Sequence, residues 1–134
     1  MNSDERRIEI NAESDVAHAV YQAHDLTASV GFRKTDQFMV ATSVSELARN
    51  VALHAGSGVM TLRTITEEGR IGVEVVTEDE GPGISDINQA LTEGYSTIGT
   101  LGLGLPGVKR LMDNFSFDAE RVSGTRIAVR KWCR

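Results

Sequence analysis

Cysteine is nearly absent: Cys133 is the only one in 134 residues. That excludes an internal disulfide framework and fits a reducing compartment. A lone thiol next to the C-terminus reads as incidental rather than catalytic. No apolar run approaches the ~18 residues of a membrane span. The opening MNSDERRIEI has no apolar core of the kind a secretory signal needs. Positive charge is not in excess, with 14 Lys and Arg against 19 Asp and Glu and a net charge of −5. That balance argues against a nucleic-acid surface as the main role. Repeats, low-complexity tracts and linkers are also missing. The expectation is one cytoplasmic, soluble domain spanning residues 1–134, with no nucleic-acid or membrane partner. Its 40% hydrophobic and 25% charged content is ordinary for a globular core.

Glycine is present in quantity and in one place. Seven of the thirteen glycines fall between Gly81 and Gly107. Glycine lets backbone approach a ligand closely. A glycine-rich loop running into a helix start suits an anion, because free N–H groups and the helix dipole both favour negative charge. Two common phosphate motifs are excluded. No Gly-Lys-Ser/Thr follows, so this is not a P-loop, and GLGLPG lacks the strand and βαβ setting of a dinucleotide fingerprint.

Taken in order, Arg6–Asn11 alternates as a strand with Ile8 and Ile10 on one face. Ser14 and Asp15 are start signals for a helix whose stripe is Val16, Val20, Ala23, Thr27 and Val30, with Gly31 as its stop. His18 and His24 on this helix lack partners at metal-ligand spacing. A second helix is predicted over about Thr35–Ala55. Its core face is Val40, Ala41, Val44, Leu47, Ala48 and Val51. A second stripe, Met39, Ser43, Glu46 and Asn50, follows the same spacing. Glu46 and Asn50 are neighbours at i and i+4. A carboxylate beside an amide can accept a proton and hold a hard cation; equally, the pair can lie on a solvated face. Val59–Thr66 and Arg70–Asp79 read as a hairpin across Glu67–Gly69. Period 2 places Thr77 and Asp79 on the core-directed face of its second strand. A carboxylate there must be hydrogen-bonded, either by a turn or by a ligand's amine. Ser85–Thr92 reads as a short helix, Glu93–Gly99 as a loop, and Leu105–Asp113 as a helix opened by Pro106. Phe115 and Phe117 alternate in a strand. Thr125, Ile127 and Val129 face inward from the last one, while Arg126, Arg130 and Lys131 need only be solvated.

Three separated elements then line up: Glu46-x-x-x-Asn50 on a helix, Asp79-x-Gly81-x-Gly83 after a strand, and Gly102-Leu103-Gly104-Leu105 opening a helix, with Gly124-Thr125 before a final strand. Order and spacing resemble the N, G1 and G2 boxes of the GHKL ATPase superfamily. SELARN at Ser45–Asn50, EDEGPGI at Glu78–Ile84, EGYSTIGTLGLGLPGVKRLMD at Glu93–Asp113 and the closing GTRIAVRKW resemble more closely the RsbT-type switch kinases of bacterial stressosomes. The resemblance implies a Bergerat fold: an α/β two-layer sandwich with a mixed, mostly antiparallel sheet and helices on one face. It implies a serine/threonine protein kinase using ATP and Mg²⁺. Its substrates would be STAS-domain proteins (RsbS-like and RsbR-like). After release it would activate a PPM-type, RsbU-like phosphatase. Carried over, Glu46 is the general base and Asn50 the Mg²⁺ ligand. Asp79 accepts from the adenine amine, with Gly81 and Gly83 in the turn giving the base room. Gly102, Leu103, Gly104 and Leu105 bring backbone to the phosphates, and Thr125 assists around the adenine. Ser96 and Thr97 fall in a lid, about Glu93–Thr100, expected to be mobile without nucleotide. Arg49, Lys109 and Arg110 are candidates for the γ-phosphate, or plain surface charge.

Other readings share these boxes. An anti-sigma-factor kinase would sequester a sigma factor instead. A nucleotide-gated interaction module would bind ATP without catalysis and would not need Glu46. A histidine-kinase catalytic domain would need a dimerisation helix pair for which 134 residues leave no room.

Overall fold

A computed structural model describes residues 4–79, 104–118 and 124–134. Its sheet has five strands: β1 (Glu5–Ile10), β2 (Gly58–Glu67), β3 (Arg70–Asp79), β4 (Asn114–Phe117) and β5 (Thr125–Trp132). They lie in the order β1-β2-β3-β5-β4. Every pairing is antiparallel among the described residues, in keeping with the mostly antiparallel sheet expected. Sequence neighbours β1, β2 and β3 pair in turn, and β5 inserts between β3 and β4.

Among the described residues three α-helices pack on the sheet: α1 (Ser14–Val30), α2 (Lys34–Asn50) and α3 (Gly104–Leu111). Ile8 and Ile10 of β1, Met60 and Leu62 of β2, Val73 and Val75 of β3, and Ile127 and Val129 of β5 point toward them and are buried. On α1 the buried stripe is Val16, Ala19, Ala23, Leu26 and Thr27. Val20 and Val30 only edge the core, so the stripe is rotated slightly from the one expected. Ser14 is not the cap. The carboxylate of Asp15 reaches back to accept from the Asn11 and Ala12 amides at 2.8 and 3.1 Å, fixing the chain just before the helix. At the other end Gly31 takes φ 100°, and Phe32 N–H closes onto Thr27 O at 3.0 Å with its ring buried, as in a Schellman-type stop.

The β2–β3 hairpin turns on Glu68 and Gly69, both at positive φ (51° and 79°). Two residues of that hand match the twist of the flanking strands.

The sheet's outer face carries the clearest departure from expectation. Glu74 is 5% exposed, clamped by Arg63 Nη2 at 2.6 Å and Arg130 Nε at 2.8 Å. Burial alone would raise its pKa, but the hydrogen bonds from Arg130 and Arg63 outweigh it and hold the carboxyl below the usual glutamate range. On the opposite, helix-packed face Lys131 is buried as well, donating to Leu111 O at 2.7 Å. That satisfies a free carbonyl at the C-terminal end of α3. Arg130 and Lys131 are therefore structural. A lowered carboxyl pKa contributes stability that is present above the ordinary glutamate value and lost as pH falls through the folded value. Glu74→Ala should destabilise the fold by about 2 kcal/mol at pH 7, with the difference shrinking as melts are taken below pH 4. Urea titrations across that range check this; an unchanged midpoint at neutral pH would remove the clamp from the account.

Candidate active site

The second stripe of α2 decides how its residues are read. Ser43 is 0% and Glu46 3% exposed, so this is not a solvated face. Met39 and Asn50 at its ends are half-buried. The reason is α3, which packs against α2. Its own C-terminal end is tied to β5 through Lys131, and through Asp113, which accepts from Trp132 N–H at 2.8 Å. Its N-terminal end therefore meets the middle of α2, where the Gly104 backbone N–H donates to the Glu46 carboxylate. Gly104 itself sits at φ 58°, a left-handed conformation natural to glycine.

Glu46 has an unusual setting. Burial raises its pKa; the nearby charge of Arg49, the Gly104 hydrogen bond and the charge of His54 offset part of that rise. One carboxylate oxygen, Oε2, is fully buried with no hydrogen-bond partner among the described residues, and so is Ser43 Oγ. A buried carboxylate with a free oxygen and raised proton affinity is equipped to take a proton.

The predicted second helix changes character after Asn50. It is α-helical over Lys34–Asn50 and π-helical over Val51–Ala55, closed by Gly56 N–H on Val51 O at 3.0 Å. Such widened turns recur at functional sites. Here the wide turn sets Val51 against the end of the sheet. A Cβ built on Gly58 would meet Val51 Cγ1 at 2.7 Å, Glu78 O at 2.6 Å and Asp79 Cβ at 3.0 Å. Gly58 is thus the contact point between the Asn50 turn and the Asp79 strand end, a role its sequence context of a simple turn did not reveal. Gly58→Ala should disturb Asp79 and the turn together. We expect a destabilisation of about 1–3 kcal/mol and weakened nucleotide binding, measured by melting and by fluorescent-nucleotide titration. An unaffected variant would show that the contact is dispensable.

Asp79 ends β3 directly between Gly58 of β2 and Thr125 of β5. Thr77 on the same face is buried and Asp79 half-buried. Thr125 is 8% exposed and follows Gly124 at φ 78°. The structure thus brings Glu46, Asn50 and Gly104 together, sets Asp79 beside Thr125, and joins the two groups through Val51 and Gly58. Leu105 is a core side chain at 5% exposure, which leaves its backbone for any ligand. Gly81, Gly83, Gly102, Leu103, the 85–92 helix and the lid with Ser96 and Thr97 lie outside the described residues. Lys109 and Arg110 are exposed in the last turn of α3, about 8 Å along the axis from its N-terminus. Arg49, whose charge acts on Glu46, has its Nε 3.7 Å from Glu13 Oε1. His18 and His24 are exposed, and no group of three His, Cys, Asp or Glu among the described residues could hold a metal. No helix there is long and apolar enough to cross a membrane.

Residues 10–131 match the histidine kinase-like ATPase domain. The chain belongs to that family. Within it, the chain is 41% identical over 132 residues to the serine/threonine-protein kinase RsbT of Bacillus subtilis, covering 98% of this chain and 99% of the relative. The RsbT-type assignment made from the boxes holds over almost the whole length, and with it protein serine/threonine kinase activity. An anti-sigma F factor of Clostridium acetobutylicum is 32% identical over 98 residues, 69% of this chain and 67% of that one. By shape, the chain superposes on a structure of the RsbU and RsbW domains of Rv1364c from Mycobacterium tuberculosis. The TM-score is 0.64 at 13% identity, covering all of this chain and 33% of that one. The mycobacterial sensor histidine kinase MprB gives a TM-score of 0.53 at 16% identity. These two likenesses establish the fold, an ATPase-type α/β sandwich. For an ATPase domain of this family ATP is the nucleotide.

Proposed function

We propose that this RsbT-type kinase transfers the γ-phosphate of ATP to a serine or threonine of STAS-domain proteins, RsbS-like and RsbR-like, and that phosphorylation releases it to activate a PPM-type, RsbU-like phosphatase. The observation that carries the catalytic half is Glu46: a buried carboxylate with a free oxygen, at the head of a helix whose N–H groups suit phosphate. Glu46 takes the substrate hydroxyl proton as the hydroxyl oxygen forms its bond to the γ-phosphorus. The bond from that phosphorus to the β–γ bridging oxygen breaks, and ADP keeps the electron pair. Asp79, with Thr125 beside it, receives the adenine amine. Gly81 and Gly83 belong to the adenine turn; Gly102, Leu103, Gly104 and Leu105 offer backbone to the phosphates. Asn50 fits Mg²⁺: its amide oxygen is a hard donor, half-buried one helical turn from Glu46, and such a metal takes few protein ligands beside phosphate and water. When bound, the ion neutralises phosphate charge. Phosphoryl transfer asks mainly for this positioning and charge stabilisation.

An anti-sigma-factor kinase remains the second reading. The anti-sigma similarity covers 69% of the chain against 98% for RsbT, which favours the first. Adding the protein to an RsbU-like phosphatase and following dephosphorylation of a phospho-STAS substrate tests the switching half. A several-fold acceleration that unphosphorylated RsbS-like protein suppresses is expected. Indifference of the phosphatase, with binding to a sigma factor instead, would establish the second reading.

A further inference from the structure

Two buried polar residues of α2 have no task in the proposed chemistry, and of these Asp36 is paired with Arg33 at 3.2 Å while Ser43 is not paired among the described residues. A serine inside a helix usually turns its hydroxyl onto the carbonyl four residues back. Ser43 does not, and its fully buried Oγ has no partner among the described residues. The group one turn along on the same helix face is Glu46, whose Oε2 is equally buried and equally without a partner. Residues three apart on a helix have Cβ atoms about 5–6 Å apart. A hydroxyl donor and a carboxylate acceptor, both unsatisfied, thus stand within one rotamer change of each other. Two buried orphans of opposite kind would each relieve the desolvation of the other.

The arrangement has a reason once nucleotide is considered. In the structure the Gly104 N–H donates to Glu46. The same N–H heads the helix to which phosphate is assigned. An incoming phosphate oxygen and the carboxylate cannot both take that single donor, so Glu46 must give it up to become the base. We propose that Ser43 is the positioning residue for Glu46: its hydroxyl takes over the carboxylate when phosphate claims the Gly104 N–H, and holds it toward the substrate hydroxyl. This inference rests on the kinase reading above. It follows the general pattern of a base oriented by a third group.

The test uses Ser43→Ala and Ser43→Thr in the full chain, with Mg-ATP and an RsbS-type STAS protein as substrate. Ser43→Ala should lower kcat by about tenfold with the KM for ATP and ADP affinity unchanged. Ser43→Thr, which keeps the hydroxyl, should recover most of the rate. A second measurement does not need activity. Melting of wild type, Ser43→Ala, Glu46→Gln and the double variant, each with and without Mg-ADP, forms a double-mutant cycle. Coupling between positions 43 and 46 is expected, larger with nucleotide. A Ser43→Ala rate equal to wild type overturns the proposal and leaves the kinase reading standing. So does an equal loss in Ser43→Ala and Ser43→Thr, or a cycle without coupling. Absence of transfer by wild type overturns the kinase reading, and Ser43's role falls with it.

Discussion

Glu46→Gln is expected to reduce phosphoryl transfer to the partner by about 10²–10⁴-fold while nucleotide still binds. The glutamine fits the same space and can accept the Gly104 N–H, so the head of α3 keeps its place. What it cannot do is take a proton. Nothing else on this face of α2 replaces it: Ser43 is not a base at neutral pH, and Asn50 is an amide. The same substitution should raise stability. The folded-state pKa of Glu46 is raised, first by burial and against the charges of Arg49 and His54. Such a group costs stability progressively as pH rises from its unfolded value through its folded value. Glu46→Gln should therefore melt above wild type at pH 7, and the gap should close as pH falls below the ordinary glutamate range, where both side chains are neutral. Single-turnover kinetics and melts from pH 4 to 8 check both halves. Retained transfer would mean that another group is the base. A lower melting temperature at neutral pH would mean that the carboxylate is better satisfied than its buried Oε2 indicates. Higher stability with lost activity is the usual mark of a strained functional group.

Asp79→Asn is expected to weaken ATP and ADP binding by about 100-fold or more, roughly 3 kcal/mol. Asp79 is held between two partner strands, opposite Gly58 and Thr125, so its side chain cannot swing far to adapt. Asparagine replaces one acceptor oxygen with a donor. Facing an exocyclic amine, that exchanges a charge-assisted hydrogen bond for an amide with half its acceptor capacity. Calorimetric titration decides: unaltered affinity would take Asp79 out of the adenine site.

Much of this was legible because the chemistry follows simple periods. Alternation in β1, β3 and β5 and the helical stripe of α2 gave the core faces directly, and glycines at 31 and 69 gave the stops and turns. Glu46, Asn50, Asp79 and Thr125 were singled out as candidates by spacing and resemblance. Whether Glu46 faced solvent or packing could not be read from α2 alone, because its burial comes from α3, some sixty residues on in the chain. Gly58 was missed for the same reason: its crowding arises between a π-helical turn and two strand ends, none of which marks a local sequence signal. Arg130 and Lys131 were read as solvated because single charges on a strand usually are. Their partners, Glu74 and Leu111 O, belong to other elements. The place of β5 between β3 and β4 likewise pairs segments far apart in the chain and has no local sequence signal.

The most direct measurement is intact-mass analysis of an RsbS-type STAS protein after incubation with this protein and Mg-ATP, with Glu46→Gln in parallel. The account predicts one added phosphate, on a single serine or threonine, with wild type and none with the variant over the same time. An unmodified STAS protein alongside wild type that binds ATP normally would contradict it, and would leave a nucleotide-gated binding module in place of a kinase.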